Sequence, residues 1–253
     1  MFFRSEVLNR FKFDKEKYKF GTDFIKCRNM WTLKFGINDE NQIYLYVRYL
    51  SRMPYNEQLY WKSFNEAPRT GISKRTIDTD FKGIWPEPNP LESLKNALRE
   101  FPKIKINEKE YQLINVSKLY KLHDLTALDY ILTDNESEWE EQIRNLETII
   151  VEGIKPKTIK KITGKEKLKG INGSINQLEK CLQELEVDSD EINLIISPLK
   201  KIVFYRKPAA HRGLDYNRPK NNLRENFESL ISETNCSIHK LTELINEGIF
   251  NKP

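Results

Sequence analysis

Apolar side chains in the second half of the chain recur every three or four residues. Trp139, Ile143, Leu146 and Ile150 form one stripe, and Ile171, Ile175, Leu178, Leu182 and Leu185 a second. Ile192, Ile195, Ile196, Leu199 and Val203 form a third, and Leu223, Phe227, Leu230, Ile231, Ile238, Leu241 and Ile245 a fourth. This spacing gives each of four helices one apolar face. The start signals agree: Ser137 is followed three residues on by Glu140, Asp188 by Glu191 and Asn222 by Glu225, the reciprocal pairing of a capping box. Amphipathic helices with short connections pack side by side in alternating direction, so residues 119–253 are predicted to form an antiparallel four-helix bundle. The connection 155–169 holds seven lysines and one glutamate and reads as a solvated, mobile loop.

The first half has a different rhythm. Trp31, Leu33, Phe35 and Ile37 alternate with polar neighbours, as do Ile43, Leu45 and Val47, with Asn38-Asp39-Glu40-Asn41 between them as a turn. Residues 48–64 then read as a helix carrying Leu50, Tyr55, Leu59 and Trp61, with Pro54 in its first turn. Ser73 is a candidate N-cap for a short helix. Pro86, Pro88 and Pro90 force an extended connector, and Leu91, Leu94 and Leu98 follow at helical spacing. Ile104, Ile106, Tyr111 and Leu113 suggest a hairpin. Residues 1–118 are thus expected to be an α+β domain, and the whole chain mainly α.

Composition narrows the class. With 38% hydrophobic and 11% aromatic residues, the 253-residue chain can bury a core. No run approaches the roughly 18 apolar residues of a membrane span, and the N-terminus lacks the apolar core of a signal peptide. Cys27, Cys181 and Cys236 are odd in number and scattered, which suits a reducing cytoplasm. Cys181 and Cys236 fall where they would line the bundle. Residues 1–118 carry 22 Lys and Arg against 15 Asp and Glu, while the remainder carries 20 against 22. A basic surplus of seven in the first half is compatible with phosphate contact, though ordinary surface solubility accounts for it as well.

Candidate chemistry sits between the third and fourth helices, at Phe204-Tyr205-Arg206-Lys207-Pro208-Ala209-Ala210-His211-Arg212-Gly213. Cleavage of a phosphate ester requires proton transfer and a cation to stabilise the extra charge on phosphorus. His211 suits the first task, because imidazole titrates near neutrality. Arg206 suits the second, because guanidinium is always charged and forks onto phosphate oxygens. Five residues apart on an ideal helix, the two side chains would diverge by about 140°. Pro208 interrupts such a helix, so a bend after Arg206 is expected.

The pattern of Arg206, four residues, then His211, set in a helical bundle, resembles the HEPN superfamily, and Arg206…Pro208-Ala209-Ala210-His211-Arg212 looks like the form found in some of its prokaryotic members. The resemblance implies a metal-independent endoribonuclease that needs no cofactor, acts on RNA and serves as a toxin or antiviral defence effector. It also implies a homodimer whose motifs meet in one composite site. Arg206 and His211 would be catalytic. Arg212 and Lys207 would contact phosphate and Tyr205 would stack on a base. The N-terminal domain would recognise substrate or engage a protein partner or inhibitor. In one departure, Lys207 stands where many active members carry Asn, Asp or His. The family also has non-catalytic members, so an interaction module within a larger complex is the rival reading. A nucleic-acid-binding regulator using the basic first half is a third.

Other signals are weaker. The basic and aromatic residues at 48–64 read mainly as core. Asp80-Phe81-Lys82 matches a fragment of metal-dependent nucleases but lacks an upstream acidic ligand. Cys236 and His239 offer two metal donors without a second pair. His123 reads as a surface or partly buried residue.

Overall fold

The computed structural model describes residues 1–14, 16–21, 23–84, 89–115, 125, 127–131, 136–206, 219 and 222–251. The chain is mostly helical with a small sheet region at its N-terminus. It divides into two units, Met1–Glu87 and Pro88–Pro253.

In the N-terminal unit, Phe2–Phe3 (β1) lies between Ile43–Tyr44 (β6) and Asn65–Glu66 (β7), with Gly36–Ile37 (β5) beyond β6, all antiparallel. A second antiparallel sheet joins Tyr18–Phe20 (β2), Phe24–Cys27 (β3) and Trp31–Lys34 (β4). The alternation over 31–37 is therefore real but is divided. Trp31 and Leu33 bury one face of β4, while the predicted hairpin is confined to β5 and β6, with Asn41 at φ 57° in the turn. The predicted helix 48–64 is two helices, Val47–Leu50 (α2) and Tyr55–Ser63 (α3). Pro54 stands at the N-cap of α3, and because proline disfavours helical backbone in the residue before it, the chain breaks there. Trp61 is fully buried, while Tyr55 is 71% exposed. Ser73 caps Lys74–Thr76 (α4) by accepting from the Thr76 amide, as its position predicts.

Aromatic rings fill this unit's core. Phe11, on Asn9–Phe13 (α1), stacks on Trp61 at 5.9 Å and meets Tyr18 edge-on at 5.0 Å. Glu57 is buried beside them. Its Oε1 accepts from the Tyr18 hydroxyl at 2.9 Å and from Arg10 at 3.3 Å, so its charge is compensated locally.

The second unit opens with Pro90–Arg99 (α5). Asn89 caps it by accepting from the Leu91 amide, and Leu91, Leu94 and Leu98 are buried as their spacing predicts. The hairpin also forms, from Lys103–Ile106 (β8) and Lys109–Gln112 (β9). Both elements belong with the helices that follow, so the division falls at 87/88, where the sequence reading put it at 118/119. The physical reason is that the apolar face of α5 lies on Leu223–Asn246 (α10), with Ser93 bonded to His239 at 3.0 Å, while the Lys105 amide donates to Asn251.

The long helices follow: Glu136–Leu146 (α6), continued by a π-helical turn at Glu147–Val151, then Pro156–Thr163 (α7), Ser174–Glu184 (α8) and Ser189–Arg206 (α9). Ser137 lies inside α6 rather than at its cap. Asp188 does cap α9, accepting from the Asp190 amide at 2.8 Å. Asn222 precedes α10 in left-handed backbone and makes no side-chain cap bond. Contacts of Lys201 with Glu233, Ile195 with Ser237 and Glu191 with Lys240 show that α9 and α10 run antiparallel.

The lysine-rich 155–169 segment is ordered structure, not a free loop. Thr158 and Ile159 turn inward on α7, Thr158 donates to the Gln112 carbonyl, and Lys161 lies 4.0 Å over the Tyr111 ring. Lys167 and Lys180 both reach the Glu184 carboxylate at 2.6 Å and hold its pKa down at about 2, against an ordinary value of 4.5. A carboxyl depressed in the folded state contributes stability above its ordinary pKa and loses it as pH falls toward the folded value. An NMR titration should accordingly show Glu184 ionised at pH 3.5, and an ordinary midpoint would mean the lysine clamp does not form in solution.

Candidate functional site

Helix α9 is described as far as Arg206. Arg206 is thus the last described residue of the helix. Lys207, His211 and Arg212 lie outside the described residues, so of the predicted site residues the structure places Arg206 and Tyr205.

Arg206 is 47% exposed at its side chain, and its Nε lies 2.7 Å from Oε2 of Glu147. Glu147 opens the π-helical turn after α6, and its side chain is 12% exposed. Among the described residues its Oε2 receives no aligned hydrogen bond, so the contact is an ion pair without full hydrogen-bond geometry. Burial pushes the Glu147 carboxyl above the ordinary range, the Arg206 charge pulls it back in part, and Glu152 adds a smaller upward push.

Tyr205 is half-buried. Its ring meets Trp139 edge-on at 5.3 Å, and Trp139 in turn meets Phe227 at 6.1 Å, which ties α6, α9 and α10 together beside Arg206. The exposed ring of the pair is the neighbouring Phe204, at 50%. Phe204 borders an open groove of about 1040 Å³ between α8 and α9, lined also by Ser174, Asn176, Asn193, Ser197 and Lys200. Lys200 pairs across it with Glu179 at 2.7 Å.

Sequence reasoning missed Glu147. Glu147 was detectable: it falls four residues after Ile143, on the apolar stripe of the first helix, where a carboxylate needs a partner.

The secondary candidates separate. Asp80 accepts from the Tyr46 hydroxyl at 3.0 Å, while Lys82 turns to Asp78 at 2.9 Å. His239 bonds Ser93, and Cys236 is exposed rather than lining the bundle as expected, while Cys181 is buried. Among the described residues no three His, Cys, Asp or Glu side chains gather as metal donors. His123 lies outside the described residues. Among those residues no helix is long and apolar enough to cross a membrane. In comparisons with protein-family models, curated proteins and solved structures, nothing matches this chain.

Proposed function

We propose that this protein is a metal-independent endoribonuclease of the HEPN type, with Arg206 and His211 as its catalytic pair in an antiparallel four-helix bundle. The observation that carries the reading is Arg206 itself: a half-exposed guanidinium, the last described residue of α9 and the first of the Arg206…His211 segment. His211 takes the proton of the attacking 2′-hydroxyl and returns one to the leaving 5′-oxygen, and Arg206 stabilises the phosphorane. Lys207 and Arg212 add phosphate contacts and Tyr205 borders the site. Two copies pairing near the motif would double the cations in one groove. The protein would act in the cytoplasm as a toxin or antiviral defence effector, with the N-terminal unit selecting substrate or a protein partner.

A second reading, a non-catalytic module of the same type, draws on the Arg206–Glu147 ion pair, which fits a clamp between helices as well as a poised cation. Incubating purified full-length protein with RNA in EDTA decides between them. Cleavage that leaves 5′-hydroxyl ends and persists in EDTA is the expected result. Cleavage that requires Mg²⁺ or Mn²⁺ would overturn the mechanism, and no cleavage would favour the clamp. Light scattering on the same sample should report a dimer.

A further inference from the structure

We propose, resting on the nuclease reading, that Glu147 is the positioning residue of the site: it holds the Arg206 guanidinium by Nε and so fixes the direction in which that cation faces the scissile phosphate.

Two features of the pair point this way. The first is its asymmetry. Arg206 is half-exposed, whereas Glu147 is nearly covered, so the carboxylate is the fixed member and the guanidinium the one presented outward. The second is the backbone that supports Glu147. The π-helical turn Glu147–Val151 interrupts the regular ladder of α6 and re-aims the side chains that follow, and such turns occur often at functional sites.

The energetics argue against a purely stabilising purpose. Burial disfavours the Glu147 anion by more than Arg206 favours it, as the upward direction of its pKa records. Its Oε2 lacks an aligned donor among the described residues. A buried carboxylate held this imperfectly contributes little to folding, and replacing such a group with a neutral one is often neutral or stabilising. What it does supply is orientation. A long, flexible, half-exposed arginine samples many rotamers, and a contact at Nε restricts them before RNA arrives.

The test uses E147Q in the full-length protein, with E147D as the conservative variant. E147Q should melt at or above the wild-type temperature, bind RNA with a KM close to wild type and lose about 100-fold in kcat, the scale of a misplaced catalytic group. E147D should recover part of that loss. The Arg206 Nε–H resonance should shift between wild type and E147Q, with no RNA present, as the neighbouring carboxylate charge is removed. Unchanged kcat in E147Q, or a kcat loss matched by a lower melting temperature that E147D does not relieve, would overturn the role. So would an Nε–H signal that is the same in both proteins. Absence of cleavage by the wild-type protein would remove the nuclease reading and the positioning role with it, while the NMR comparison would still report on the pair.

Discussion

Trp139→Ala should unfold the C-terminal unit more readily than almost any other single change. The side chain is 1% exposed and joins three helices through its contacts with Tyr205 and Phe227. Truncating a buried tryptophan removes its transfer energy and leaves a cavity, about 3–5 kcal/mol in all. For a unit of this size that is a fall in Tm of roughly 6–20 °C. The indole N–H has no acceptor among the described residues, so its burial is itself a cost. Trp139→Phe, which deletes the N–H and keeps a ring, should therefore cost about 1.5 kcal/mol or less. Urea denaturation of both variants checks the pair of values. If Trp139→Ala were as mild as Trp139→Phe, the ring would not join the helices as the contacts describe.

The helices of the C-terminal unit were legible because burial imposes a period. Leu91, Leu94 and Leu98, and Phe227, Leu230, Ile231 and Ile238, are all buried where their spacing put them. Three features were not legible, each for a stated reason. In 155–169 the density of lysine masked the inward pair Thr158 and Ile159, since charge on one face says nothing against order on the other. In 48–64 the helical spacing of Leu50, Tyr55 and Leu59 ran through Pro54, and the backbone obeyed the proline. The division between units depends on α5 choosing α10 as its partner, a long-range contact that no local pattern encodes.

The site was half legible. Arg206 could be singled out because it opens the Arg-x4-His pattern that resembles the HEPN motif. Glu147, which lies 59 positions earlier, could be linked to it only through the fold. That link makes the two motif residues differ in a measurable way. His211→Ala should lower the rate of RNA cleavage by about 100- to 10,000-fold, the range for losing a general acid–base. Its Tm should move by about 2 °C or less if His211 acts in chemistry and not in packing. Arg206→Ala should lose at least about 100-fold in rate through the missing phosphate contact. It should also lose stability, because Glu147 stays buried without its cation, a penalty of about 1–3 kcal/mol. Combining Arg206→Ala with Glu147→Gln removes the stranded charge, so the double variant should regain most of the lost Tm while remaining inactive. Leu199→Ala, which empties a fully buried position on α9, gives the contrasting case: about 2–5 kcal/mol of stability lost, with the folded fraction still cutting RNA. Single-turnover assays in EDTA, paired with thermal melts of the same four proteins, separate chemistry from folding. A double variant that melts no higher than Arg206→Ala would show that Glu147 is not the group Arg206 neutralises, and a His211→Ala protein that cuts at the wild-type rate would remove His211 as the proton carrier.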